Sequence, residues 1–177
     1  MNGLPRSNRD YRELYFFLAA TVVIMDQVTK LVVVKFVPLY DSVTVIPGFF
    51  RISHVLNRGA AFSMFADIRS PLAPLALLLF SLIVMTVITV MLAKSRNVFN
   101  RTNVGLALIL GGALGNFIDR LLQGSVIDFL AFRLGSYHWP DFNLADCGIV
   151  SGAGLLLLDV FFARPLSTEN TEEPRGS

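Results

Sequence analysis

Apolar positions along this chain gather into four long runs separated by polar stretches, at residues 14–37, 72–93, 104–122 and 145–163. Each run approaches the roughly 20 mostly apolar residues that a helix needs to cross a bilayer. The pattern predicts four spanning helices. The first run is too long and too charged for a cleaved signal peptide. The residues after it, Lys35-Phe36-Val37-Pro38, offer no small-residue cleavage site, so it reads as a retained helix.

Between the first two runs the periodicity changes. Val43-Thr44-Val45-Ile46 and Phe49 to Val55 are rich in β-branched and aromatic residues, with Pro47-Gly48 between them. That pattern predicts two short strands joined by a turn. The segment between the third and fourth runs is also too long for a tight turn. The expected organisation is an N-terminal tail (1–13), an all-α membrane domain of four helices (14–163) with outer segments 38–70 and 123–144, the first of them β-rich, and a disordered tail (164–177). No internal repeat suggests a transporter built of inverted halves.

Composition agrees with the runs. Of 177 residues, 54% are hydrophobic and only 16% charged, and mean hydropathy is +0.60. A domain in water carries about 25% charged residues. A net charge of +2 implies no polyanion partner, so no nucleic acid is expected. One cysteine (Cys147) and two histidines (His54 and His138) are too few for a disulfide framework or a His/Cys metal centre, so no metal or cofactor is expected. Basic residues set orientation. Arg6, Arg9, Arg12, Lys94, Arg96, Arg101, Arg164 and Arg175 lie on one side of the predicted membrane, against Arg51, Arg58, Arg69 and Arg133 on the other. This bias predicts both termini in the cytoplasm and the long segments outside.

Charges inside the runs are costly, about 2.5–3.5 kcal/mol each at a helix centre on insertion scales. Asp26 and Lys30 lie one turn apart in the first run and can pair toward the bundle interior. Such a pair serves either as a structural lock or in chemistry, the former being the simpler role. In the third run, Gly111-Gly112-Ala113-Leu114-Gly115 permits close helix packing. Asn116, Asp119 and Arg120 follow at its outer end. Asn116 and Arg120 share a face, whereas Asp119 and Arg120 point about 100° apart and take different partners. This group suits a functional site as well as it suits an interfacial helix end. Asn57, with Gly59 after it, could hydrogen-bond a peptide backbone or simply close a strand-end turn.

Asp128, in Val126-Ile127-Asp128-Phe129, and Asp146, where the fourth run begins, fall at the same membrane surface. Alone, Asp128 would be a turn residue and Asp146 a helix-start residue favoured by the dipole. Together in a low-dielectric cleft, two carboxylates share a proton. One can then act as base toward water while its partner polarises a carbonyl. Taken residue by residue, the pattern leaves an enzyme, a small transporter and a non-catalytic scaffold nearly level.

Five stretches, in order, resemble the lipoprotein signal peptidase (signal peptidase II) family. They are Asp26-Gln27-Val28-Thr29-Lys30, Asn57-Arg58-Gly59-Ala60-Ala61-Phe62, the segment from Gly111 through Asn116 to Arg120, Val126-Ile127-Asp128-Phe129, and Phe142-Asn143-Leu144-Ala145-Asp146. Cys147 stands where a small residue, often serine, is expected. The resemblance implies an aspartyl endopeptidase of the bacterial cytoplasmic membrane with Asp128 and Asp146 as its dyad. Its implied substrate is a prolipoprotein carrying a diacylglyceryl group, cleaved just before the lipid-modified cysteine. It further implies that Asn57, Gly59, Asn116, Arg120 and Asn143 bind substrate or order the dyad, and that Asp26, Lys30 and Asp119 support the site. Membrane lipids and the cyclic peptide antibiotic globomycin are the other implied partners, and a monomer is the expected state.

Overall fold

A computed structural model describes residues 10–59, 72–95 and 99–162. Residues 1–9 and 163–177, residues 60–62 of the second motif, Arg69 and Arg96 lie outside the described residues. Helix α1 (Tyr11–Phe36) begins at Asp10, whose side chain accepts from the Arg12 backbone N–H at 3.0 Å. Helices α2 (Ala73–Ala93), α3 (Arg101–Gln123) and α4 (Leu144–Phe162) make a set of four among the described residues, each long and apolar enough to cross a membrane. Asn100 caps α3 through the Asn103 N–H at 2.7 Å. Gly124 ends α3 at φ 74°, a left-handed conformation that glycine adopts without strain.

The exterior of the bundle is apolar. Phe17, Leu31, Phe80, Val160 and Phe161 are exposed at 65–79%. Side chains of this kind belong in lipid. Inside, Tyr15, Ala19, Met85, Ile88, Leu92, Leu106, Ala107 and Leu110 form a core joining α1, α2 and α3. Helices α3 and α4 approach through glycine. A Cβ on Gly112 would overlap the Ala145 carbonyl oxygen, and one on Gly105 would sit 2.8 Å from the Gly152 oxygen. The glycine run of α3 therefore works in close packing.

At one end of the bundle lies a four-stranded antiparallel sheet, ordered β1 (Ser42–Ile46), β2 (Phe50–Asn57), β3 (Val126–Leu134) and β4 (Tyr137–His138). The first two are the strands that the sequence predicts. The other two lie in the second outer segment, which the sequence marks as too long for a tight turn without resolving its strands. Asp128 is accordingly not a turn residue: it sits within β3, opposite Val55 of β2. Five of the first six residues of β3 are buried, so the strand shows no alternation of apolar and polar positions. Val33, Val37 and Phe129, with Ile52, Leu130 and Leu144 against them, form a second core that fixes the sheet to the ends of α1 and α4.

Candidate active site

Asp146 is placed by a capping box. Asn143 precedes α4, and its side-chain oxygen accepts the Asp146 N–H at 3.0 Å while an Asp146 carboxylate oxygen accepts the Asn143 N–H at 3.3 Å. This reciprocal pair satisfies two donors at the helix start and fixes the Asp146 rotamer. The other Asp146 oxygen accepts the Asn116 amide of α3 at 2.8 Å.

Asp128 is held from two sides. Its carboxylate accepts the Asn143 amide at 2.7 Å and the Asn57 amide at 2.9 Å. Asn57 lies two residues along β2 from the position facing Asp128, a diagonal neighbour within reach across the sheet. One residue, fully buried Asn143, thus grips both carboxylates: Asp128 through its side-chain amide, and Asp146 through its backbone N–H and side-chain oxygen. Burial pushes the Asp128 carboxyl up to about 7, against the opposing pull of the Asn57 amide, and the nearby Asp146 charge adds to the rise. The Asn143 amide and the Lys30 charge act in the lowering direction.

Beneath the two aspartates is a buried ionic cluster. Lys30 Nζ lies 2.7 Å from Asp26 and 2.8 Å from Asp119, and it donates to Asn116 at 3.2 Å. Gln27 donates to Asp119 at 2.9 Å and to the Gly115 carbonyl at 3.2 Å. Gln27 also donates to Asp26 at 3.3 Å, and backbone donors complete the cluster. Asp26 accepts the Ala145 N–H at 3.0 Å, and Asp119 accepts the Ile127 N–H at 3.2 Å. Ala145 and Ile127 are the immediate neighbours of Asp146 and Asp128. The cluster therefore clamps both carboxylate-bearing segments to α1 and α3. Gly115 makes room for it, since a Cβ there would lie 2.6 Å from an Asp26 oxygen.

Arg120 and Asp119 do take different partners. Arg120 donates to the Gly59 carbonyl at 3.1 Å and to the Asn116 carbonyl at 3.5 Å, and its buried Nε–H has no acceptor among the described residues. The Gly59 N–H turns back to the Asn57 side chain at 2.9 Å, so Asn57 closes a turn and also reaches Asp128. The seven residues expected at the site (Asn57, Gly59, Asn116, Arg120, Asp128, Asn143 and Asp146) occupy one cluster, and the three expected supports adjoin it. Gln27 joins those supports; the sequence carries it within the Asp26–Lys30 stretch but assigns it no role of its own. Its place, one position after Asp26 on the helix, carries no charge to draw notice. Among the described residues, no group of three or more His, Cys, Asp or Glu side chains is arranged to hold a metal ion.

Two cavities reach the carboxylates. A polar one of about 660 Å³ meets Asp128 and is lined by Tyr40, Asn57, Arg58 and Asp141. An apolar cleft of about 490 Å³ meets Asp146 between the sheet and α4. The arrangement can hold a peptide bond between two carboxylates with amide and guanidinium donors around it.

Comparison with known proteins identifies the family. Residues 18–162 match the family Signal peptidase (SPase) II. A lipoprotein signal peptidase of Geobacter sulfurreducens is 44% identical over 137 residues, covering 77% of this chain and 84% of the relative. That of Pasteurella multocida is 39% identical over 158 residues, covering 89% and 94%. A bacterial membrane enzyme solved by the in meso method superposes with a TM-score of 0.75 at 31% identity, covering 93% of this chain and 95% of the other. A second such structure gives 0.73 at 30% identity, covering 86% and 95%. With its four spans, this chain belongs to the signal peptidase II family, multi-pass membrane proteases that cleave signal peptides from lipoproteins.

Proposed function

We propose that the protein is an aspartyl endopeptidase in which Asp128 and Asp146 form the catalytic dyad. The observation that carries this reading is the shared grip of Asn143 on both carboxylates. It holds them in one polar cluster at the mouth of two cavities. The shared proton rests on Asp128, the more deeply buried of the two. Asp146 takes a proton from water as the water oxygen attacks the scissile carbonyl, and Asp128 gives its proton to the carbonyl oxygen. Asp146 then passes its proton to the departing amine while Asp128 recovers one from the tetrahedral carbon's hydroxyl. The C–N bond breaks, leaving an acid on the signal peptide and a free amine on the mature protein. The Arg120 Nε–H and the Asn116 and Asn57 amides hold the substrate backbone in register.

The substrate in this reading is a diacylglyceryl-modified prolipoprotein, cut just before its lipid-bearing cysteine. The peptidase domain spans residues 14–163 of a monomer in the bacterial cytoplasmic membrane, with tails 1–13 and 164–177 inside. Segments 38–70 and 123–144, and with them the dyad, lie on the outer face. A single ionic cluster on α1 and α3 serving both dyad segments supports the three support assignments. Globomycin blocks the cleft as a peptide mimic. The test is mass analysis of products from a purified prolipoprotein with and without its diacylglyceryl group. The expected result is one cut, before the modified cysteine, in the lipidated substrate alone. Equal cleavage of the unmodified chain, or a cut elsewhere, refutes the assignment.

A further inference from the structure

The polar cavity at Asp128 holds a second carboxylate, to which the hydrolysis assigns no part. It belongs to Asp141, half-buried just ahead of α4. The Ser53 hydroxyl donates to one of its oxygens at 2.6 Å. The other oxygen has no donor among the described residues, and none of their cations is paired with it.

The sheet is distorted where it meets this carboxylate. Strand β2 runs from Ile52 to Val55 while β3 runs only from Leu130 to Asp128, so β2 carries an extra residue there. A bulge of this kind re-aims side chains, and Ser53 within it is buried against Asp141. Tyr40, on the same cavity wall, has φ 62° and is alone among the described non-glycine residues in the left-handed region. Its turn is tied to the bulge: Tyr40 donates to the His54 carbonyl at 2.8 Å, and His54 donates to the Asp41 carbonyl at 3.1 Å. Irregularities of both kinds gather at functional sites.

Position and charge narrow what Asp141 can meet. Its neighbour Phe142 bridges Leu130, two residues from Asp128 along β3. Two strand residues span about 7 Å, so Asp141 stands roughly two residues of extended chain from the dyad. Of the other charged residue types in the cavity, Asp128 is neutral in the reading above because it carries the shared proton. Arg58 is exposed and makes no ion pair with Asp141. A solvated arginine is screened and loses rotamer freedom on pairing. Asp141 is already held by Ser53 and loses little. The chain that follows the cysteine belongs to the released protein and must pass into water, and this cavity offers it polar partners.

We propose that Asp141 is a specificity determinant that selects substrates with a lysine or arginine about two residues after the cysteine, the cation docking on the free carboxylate oxygen. The proposal rests on the endopeptidase reading above. Precursors with a basic start to the mature chain are processed faster than those with an acidic one.

The test measures kcat/KM for lipidated prolipoprotein peptides that differ only in carrying Lys or Glu at one of the first four positions after the cysteine. In the wild type the Lys-to-Glu ratio reaches about tenfold at the second or third position, attraction and repulsion adding. It falls toward one with rising salt, which screens a half-exposed pair. Asp141→Asn, which keeps an acceptor for Ser53, brings the ratio to about one, and Asp141→Lys inverts it. Each ratio is internal to one enzyme, so a loss of folded protein cancels. A wild-type ratio near one at every position, a ratio that salt leaves unchanged, or one that survives Asp141→Asn overturns the proposal. So does a wild-type preference for Glu that Arg58→Gln abolishes, which assigns the cavity to Arg58. Wild-type protein that cleaves none of the peptides overturns the endopeptidase reading instead, so the two failures are distinguishable.

Discussion

Replacing Lys30 by methionine removes the one cation in a cluster where two buried carboxylates converge. Lys30 and Asp26 are essentially inaccessible and Asp119 is nearly so, with separations of 2.7 and 2.8 Å. Methionine fills most of the volume, so the packing loss is small and the electrostatic loss dominates. Removing one partner of a buried pair costs about 3–5 kcal/mol, because the other charge stays buried without compensation. Here two carboxylates lose their partner at once, and Asn116 loses a donor, so a loss at or above that range is expected. The measurement is reversible unfolding in mixed micelles, following helix content. Adding Asp26→Asn to Lys30→Met discharges one stranded carboxylate and restores part of the loss, a non-additivity of about 1–3 kcal/mol. A Lys30→Met loss below about 1 kcal/mol, the size of an exposed pair, refutes the buried clamp. Strict additivity of the two substitutions refutes it equally.

Other perturbations read separate parts of the site. Because the folded Asp128 carboxyl is raised from 3.8 to about 7, the native state binds more protons than the unfolded chain between those values. Stability falls as pH climbs through that window, by as much as about 4 kcal/mol, and levels off above it. Asp128→Asn abolishes the slope in pH-dependent unfolding, and an unchanged slope contradicts the raised value. If protonated Asp128 is the acid, the activity profile declines above about pH 7, and Asn57→Ala moves that limb upward by removing a bond that favours the carboxylate. Asn143→Ala removes a helix cap worth about 1 kcal/mol. It lowers kcat by about 100-fold, because both carboxylates lose their positioning; parallel unfolding and kinetic measurements separate the two effects. Gly112→Ala drives a methyl into the Ala145 carbonyl and costs about 1–3 kcal/mol. Gly154→Ala, with open space around it, serves as the thermal-stability control.

Features with a long-range signal were legible in the sequence. Four apolar runs gave helices whose ends lie within three residues of the described ones, because lipid demands a minimum length and tolerates few charges. Hairpin β1–β2 was legible because Pro47-Gly48 interrupts two β-rich stretches. Strand β3 was not, since burial on both faces erased the alternation that marks a strand, and Asp128 broke its apolar run. Scarce charge within the spans pointed to Asp26, Lys30, Asp119 and Arg120, but not to what joins them. The clamp runs through the uncharged Gln27 and through the backbone N–H groups of Ala145 and Ile127, donors that nearly every residue type possesses. The spacing of Asn143 and Asp146, three apart ahead of an apolar run, is a capping-box pattern, and that local signal alone is enough to orient the Asp146 side chain.

The central claim is that Asp128 and Asp146 together perform the hydrolysis. It is tested most directly by single-turnover cleavage of diacylglyceryl-modified prolipoprotein by purified Asp128→Asn and Asp146→Asn proteins whose fold is verified by helix content. Each substitution removes one proton-transfer group, so each rate falls by at least about 10²–10⁴-fold, and the double variant is little worse than either single one. Near-wild-type cleavage by either folded variant would contradict the dyad.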